Sequence, residues 1–341
     1  GAHFYKINGR YYLFLIHSLR DRWRRVQACF ASDSLEGEFT GGDVLNDDIG
    51  YCGQGVAQGG IVDTPCGQWY AMLFQDRGAV GRIPILLPVT WEDHYPVFGR
   101  KGTSAVEFTV KSTRPEHRYT LLVQSDDFRV SQSEMQSKRK YGSYGLKSCW
   151  QFNHEPDLAH VFHDHALGIW RLENGKVCGN LTQAANTITQ RMFFPKCSAE
   201  ITVDGSGLKD GDHAGMCALQ EYYAMAAVTK QDRKFYLVMS GVEDVDGCKK
   251  NEITYECIAL DSAVVKIRLE VDFTNGKDEA VFFYSLGTKG AGRIWRQIGI
   301  RKKLRFTLGH FAGCRFGLFS YATMQTGGKA GFCDFIRQDF L

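Results

Sequence analysis

The 341-residue sequence has little of what marks helical, membrane-spanning or polyanion-binding proteins. No stretch carries a sustained helical periodicity of apolar residues, which excludes long amphipathic helices. No apolar run approaches the roughly 20 residues a helix needs to cross a bilayer. Neither an initiator methionine nor a signal-peptide pattern opens the chain, and its abrupt start in strand-like sequence is what a piece of a longer protein would show. Charge of one sign is also lacking: 41 Lys and Arg face 38 Asp and Glu, a formal net charge of +3. That balance removes the electrostatic case for nucleic acid or an anionic membrane as partner. Short basic clusters at 20–25, 137–140 and 301–305 read as solvated strand ends. Eleven cysteines occur without a single C-x-x-C pair, which argues against a zinc ribbon or a redox motif. An odd count spread along a long chain reads as buried, reduced thiols and favours a cytoplasmic over a secreted setting. The sequon Asn180-Leu181-Thr182 is too short a pattern to reverse that.

What is present is β structure. Glycine and aromatics are abundant, and apolar runs of strand length alternate with turn residues, so the class is all-β. Asn8-Gly9 between Phe4–Ile7 and Tyr11–Ile16 is the strongest hairpin signal. The stretch Gln54–Gly99 organises the first part: strands start at Ile61 and Trp69, and a third runs from Ile83 to Val89. Pro84 and Pro88 should keep that third strand out of the middle of a regular ladder. Between the last two strands, residues 75–82 form a polar, glycine-containing loop, either a solvated connection or a functional rim. Residues 101–118 turn polar and read as an interdomain connection, which divides the chain into 1–115 and 116–341. Strands of the second region include 199–203, 213–220, 235–239, 264–273, 281–286 and 315–321, and 131–145 reads as a long basic surface loop. No internal repeat is evident. About 100 residues of four-stranded blades make two to two and a half blades, whereas a closed propeller needs at least four.

Gly1-Ala2-His3-Phe4-Tyr5-Lys6, followed by Gly9-Arg10-Tyr11-Tyr12-Leu13-Phe14, resembles a segment of the family 43 glycoside hydrolases. Gln58-Gly59-Gly60-Ile61-Val62, Trp69-Tyr70, Gly81-Arg82 and Trp91–Val97 are similar to that family's last two blades. Ser125–Phe128, Trp150–His154, Thr189-Gln190-Arg191 and Phe316–Phe319 resemble the β-sandwich of its xylosidase members. The resemblance implies the last blades of a five-bladed β-propeller followed by a jelly-roll, concanavalin-like β-sandwich. It further implies an inverting β-xylosidase or α-L-arabinofuranosidase acting on xylan- or arabinan-derived oligosaccharides. Inversion needs two carboxyl groups about 6.5–9.5 Å apart, one an acid and one a base. In the family the acid Glu stands just before the glycine matching Gly1 and the base Asp lies earlier still, so no catalytic residue is expected in this chain.

The matching Arg82 is expected to reach the sugar pocket, where a planar guanidinium suits bidentate pairing. Gln58 takes the place of a His that helps many members hold a central water or metal. An amide offers no imidazole, so calcium at the propeller centre becomes an open question, and no other cofactor is implied. Gln75 and Asp76 flank the same pocket; Asp63, Glu92 and Asp93 are carboxylates of the right type in the wrong loops. Trp23, Trp69 and Phe74 are candidate sugar-stacking faces, Trp69 also being a natural core residue. Phe306 or Phe311, in the loop 306–313, matches a family loop that lends an aromatic to the active-site rim. His160, His163 and His165 around Asp164 lack the spacing of a metal site and read as a surface turn. Two rivals stand beside the hydrolase reading: a carbohydrate-binding sandwich, and a sandwich that braces the propeller or mediates homo-oligomerisation.

Overall fold

The computed structural model describes residues 1–104, 107–110, 112, 114–131, 134, 145–245, 249–286, 294–307 and 311–340. The loop expected at 131–145 and its basic cluster at 137–140 lie largely outside these residues. Two compact units emerge, Gly1–Arg118 and Tyr119–Leu341. None of the described helices is long and apolar enough to cross a membrane.

The first unit consists of two four-stranded antiparallel meanders. One contains β1 (His3–Ile7), β2 (Arg10–Ser18), β3 (Arg25–Ser32) and β4 (Thr40–Leu45). The other contains β5 (Ala57–Asp63), β6 (Trp69–Asp76), β7 (Arg82–Glu92) and β8 (Tyr95–Phe98). These are propeller blades, and they supply the repeat that the sequence does not display. Ile7 pairs with Arg10 across Asn8-Gly9, both at positive φ (51° and 87°), the twist a two-residue hairpin requires.

Strand alternation sends one side chain in two into a core shared by the two sheets. Phe14, Cys29 and Leu45 from the first sheet meet Ala71, Leu87 and Phe98 from the second, with Val56 from the segment just before it. The rings of Phe14 and Phe98 stack at 5.9 Å, both fully buried. Truncating either to alanine removes about 3–5 kcal/mol by cavity formation. The opposite faces carry apolar side chains in the open: Phe4 on the first sheet, and Val62, Met72 and Leu86 on the second. Met72 and Leu86 stand directly across from one another, so the exposure forms a patch.

The proline expectation needs amendment. β7 pairs with β6 from Arg82 to Val89, Pro84 facing Phe74 and Pro88 facing Tyr70. Its other edge meets β8 only from Val89 to Glu92, so the interior position is partial and both prolines lie outside the stretch paired with β8.

The second unit is a sandwich of two seven-stranded sheets. Its strands are β9 (Gln151–Phe152), β10 (Val161–Asp164), β11 (Ile169–Glu173), β12 (Ile188–Arg191), β13 (Lys196–Gly207), β14 (Asp212–Leu219) and β15 (Ala224–Gln231). There follow β16 (Lys234–Val245), β17 (Lys249–Leu260), β18 (Val264–Asp272), β19 (Glu279–Ser285), β20 (Arg296–Lys303), β21 (Arg315–Ala322) and β22 (Lys329–Phe340). One sheet runs β10-β11-β22-β13-β18-β19-β20, the other β17-β16-β15-β14-β21-β12-β9. β18 alternates buried and exposed residues, as a strand with one covered face must. β14 and β15 are buried almost throughout, because the sheet's second face is also covered, by Cys178, Leu181 and Ala184. The expectation for cysteines holds in part. Cys29, Cys149, Cys178, Cys197, Cys217 and Cys314 are buried free thiols, while Cys52, Cys66 and Cys257 are exposed ones.

On β14 the His213 ring stacks on Tyr321 at 5.0 Å, and its Nδ1 has no hydrogen-bond partner. Burial holds its pKa down to about 4, from an ordinary 6.5. Between those values the unfolded chain binds more protons than the folded one, so stability rises with pH across the window and falls on acidification. The full span is worth up to about 3 kcal/mol. The thermal midpoint of His213→Phe should therefore vary less between pH 4 and 6.5 than that of the parent in calorimetry; parallel curves would refute this.

Candidate functional site

The site grows from one register. Asp76 ends β6, Arg82 begins β7, and the two are paired across the hairpin. Residues directly opposite in an antiparallel pair place their side chains on one face, with Cβ atoms about 5 Å apart. Between them Gly78 and Gly81, at φ 65° and 93°, make a tight reversal through the 3-10 turn Gly78–Val80. Arg82 Nε donates to Asp76 Oδ1 at 3.0 Å. Phe74 lies two residues before Asp76 on the same face, and the Arg82 guanidinium covers its ring at 4.5 Å.

A second guanidinium arrives from the other sheet. Arg25, the first residue of β3, places Nη2 2.6 Å from Asp76 Oδ2 and its guanidinium 5.5 Å from the Phe74 ring. Asp76 and Arg25 are both buried, and Arg82 is half-buried. Arg25 belongs to the basic cluster expected to be solvated, so that expectation is corrected here. Nothing near Arg25 in the chain signals its partner, which lies 51 positions away. Gly55 permits the approach: it packs flat against the Arg25 backbone, where a Cβ would collide with the carbonyl oxygen. Trp23 lies beside Arg25 at 5.8 Å and is exposed, so its ring is open to solvent.

Gln75 departs from expectation. It is fully buried, and its amide is engaged: Nε2 donates to the carbonyls of Asp48 and Gln54, each at 2.6 Å, while Oε1 accepts from Arg77 Nε at 2.8 Å. It fastens the segment between the sheets to the end of β6 instead of facing a ligand. Gln58 sits in a bulge where the β5–β6 register slips between Ala57 and Gly60. Its φ of 65° is left-handed, an uncommon state for a residue with a side chain. The buried Gln27 holds it there by accepting the Gln58 N–H at 2.7 Å. The Gln58 amide itself lies against Gly1, where a Cβ would strike Nε2.

The remaining candidates separate. Trp69 lies at the far end of β6 from Asp76 and packs edge-on against Trp91 at 5.4 Å as part of the core. Asp63, Glu92 and Asp93 are exposed at that same far end. Phe306 and Phe311 belong to the second unit, half-buried and exposed respectively, and 308–310 between them lie outside the described residues. His160 pairs with Asp157 at 2.7 Å, and His163 Nε2 bonds the Phe128 carbonyl at 2.7 Å. Among the described residues no three His, Cys, Asp or Glu side chains gather in a metal-holding group. No role is derived for calcium at Gln58.

Residues 138–337, well over half of the chain, match the family described as the beta-xylosidase C-terminal concanavalin A-like domain. A beta-xylosidase of Formosa agariphila is 24% identical over 374 aligned positions, which span 96% of this chain and 57% of that protein. A putative beta-xylosidase of Xylanibacter ruminicola is 27% identical over 210 positions, 60% of this chain and 37% of that one. The chain thus spans about half the length of the curated relatives it matches, or less. Among solved structures, a bifunctional GH43-CE protein of Bacteroides eggerthii superposes with a TM-score of 0.82 at 36% identity, covering all of this chain and 40% of that chain. A GH43 enzyme engineered to display endo-xylanase and exo-arabinofuranosidase activity shares the fold, with a TM-score of 0.80 at 24% identity over all of this chain and 65% of its own.

Removing one member of a buried ion pair leaves its partner uncompensated and costs about 3–5 kcal/mol. Asp76→Ala, which strands two guanidiniums on one phenyl ring, should lower the stability of the first unit by about 3 kcal/mol in urea denaturation. Arg82→Ala, with Arg25 still paired, should cost less. Equal losses would mean that the two arginines do not share the carboxylate.

Proposed function

Because the chain belongs to glycoside hydrolase family 43, we propose that its first unit supplies part of the sugar-binding wall at the cleavage subsite of an exo-acting β-xylosidase or α-L-arabinofuranosidase, and that the acid and base lie outside these 341 residues. The double clamp on Asp76 carries this reading. With its Nε on Asp76 and its face on Phe74, the Arg82 guanidinium is fixed before any ligand arrives. Such preorganisation lets a cation bind sugar hydroxyls or a neighbouring carboxylate without an ordering cost at the moment of binding.

Asp76 does not fit the part of a general base. Each of its oxygens is taken by a guanidinium, so the carboxylate positions others rather than accepting a proton from water. Single-displacement inversion needs an acid on the leaving oxygen and a base on a water, separated by about 6.5–9.5 Å. Asp63, Glu92 and Asp93, exposed at the other end of the sheet, supply neither. The relatives' names support pentose-containing oligosaccharides as the substrate class. The open apolar faces of the two blades support a larger propeller around them.

Two measurements test the proposal. The purified 341-residue chain should not turn over aryl β-xyloside or aryl α-arabinofuranoside; turnover would overturn the assignment of acid and base elsewhere. Xylobiose binding, followed by calorimetry, should weaken at least ten-fold in Arg82→Ala; an unchanged affinity would remove Arg82 from the subsite.

A further inference from the structure

Two adjacent arginines at the start of β3 are assigned to different carboxylates. Arg24 Nη1 lies 3.4 Å from Asp48 Oδ2, whereas Arg25 Nη2 lies 2.6 Å from Asp76 Oδ2. Arg24 also donates from Nη2 to the Asn46 carbonyl at 3.3 Å, which keeps it on the segment between the sheets. The Arg25 backbone is held by two neighbours. It pairs with Ser18 of β2, and Gly55 comes so close that a Cβ there would stand 1.8 Å from the Arg25 carbonyl oxygen. Its guanidinium lies near two rings, 5.8 Å from Trp23 and 5.5 Å from Phe74. Backbone, ion pair and rings together give this cation one place.

We propose that Arg25 is a positioning residue for Arg82: by holding Asp76 Oδ2 it fixes the plane of the carboxylate, which then presents Oδ1 to Arg82 Nε. The terminal torsion of an aspartate is soft, with broad two-fold minima, so a carboxylate held at one oxygen can turn. The planar fork of an arginine draws such a carboxylate into two parallel bonds. Arg25 blocks that turn by occupying the second oxygen. Arg82 thereby keeps its contact through Nε at 3.0 Å and its place over the Phe74 ring at 4.5 Å. Without Arg25, the carboxylate rotates onto the Arg82 fork and draws the guanidinium off the ring.

Accessibility divides the two roles. The Arg82 side chain is 22% exposed, against 10% for Arg25 and 7% for the carboxylate between them. The buried arginine supports and the more open one can meet a ligand, so what Arg25 contributes runs through Arg82. The two also come from different places in the fold. Asp76 and Arg82 are paired in one hairpin, while Arg25 arrives from the other sheet and locks that hairpin from outside. That Arg82 meets a sugar rests on the hydrolase reading; that Arg25 orients Arg82 does not.

The test reads Arg82 directly. In the isotope-labelled full chain, NMR follows the Arg82 Nε–H and Hδ signals, which the Phe74 ring current displaces, while the methyl signals of the core residues Leu45 and Leu87 report that each variant is folded. In Arg25→Met, which keeps length without charge, the Arg82 signals should move toward those of arginines remote from any ring. Arg25→Lys, which returns the charge, should recover at least half of that displacement. Signals unmoved in Arg25→Met, or no better in Arg25→Lys than in Arg25→Met, would overturn the proposal. Xylobiose affinity should fall about five-fold in Arg25→Met and not at all when the same change is made in Arg82→Ala, because effects carried through one residue do not add. Equal losses in both backgrounds would give Arg25 an effect of its own and would also overturn it. A chain that binds no xylobiose in any form would count against the hydrolase reading alone, and the Arg82 signals would then decide the role of Arg25.

Discussion

Two guanidiniums converging on one buried carboxylate hold the β6–β7 turn of the first unit to the start of β3. Asp76 takes Arg82 from its own hairpin and Arg25 from the neighbouring sheet, and Phe74 lies against both cations. Each part depends on the others. The carboxylate is tolerable inside the protein because it is doubly paired, and the two arginines can sit close because the carboxylate lies between them. Gly55 and Gln75 serve the same end by letting Arg25 approach and by fastening the connecting segment.

The two units handle sheet coverage in different ways. In the sandwich, the second sheet is covered on both faces over much of its area, and its central strands β14 and β15 are almost wholly buried. In the first unit, each blade has one face in a shared core and another with exposed apolar side chains. Blades that stack only on neighbours are quasi-one-dimensional, and their stability depends on what flanks them.

Local chemistry made much of the architecture readable. Asn8-Gly9 announced its hairpin, and the apolar run at 264–273 announced β18, which the structure shows to have one covered face. β15 escaped notice for a physical reason. Its Ala224-Met225-Ala226-Ala227-Val228 run is buried on both faces, so it shows no period of two. β22, also unread, pairs with β13 and β11, far away in the chain. The prolines of β7 carried a true constraint applied too broadly: a missing N–H forbids a ladder only on the edge where a partner is present.

The chain by itself determined the strand segments and the tight turns, because each depends on residues a few positions apart, whereas it left Asp76 and Arg82 in a loop that the structure resolves into a paired strand end. Resemblance carried the family, since many short motifs in a fixed order are specific where none is alone. Only the tertiary structure decided that Arg25 joins Asp76 and that Gln75 braces instead of binding. Those outcomes depend on which distant backbone groups arrive beside a side chain. Neither charge nor propensity in a local window encodes that arrival, because the partners are chosen by how sheets pack.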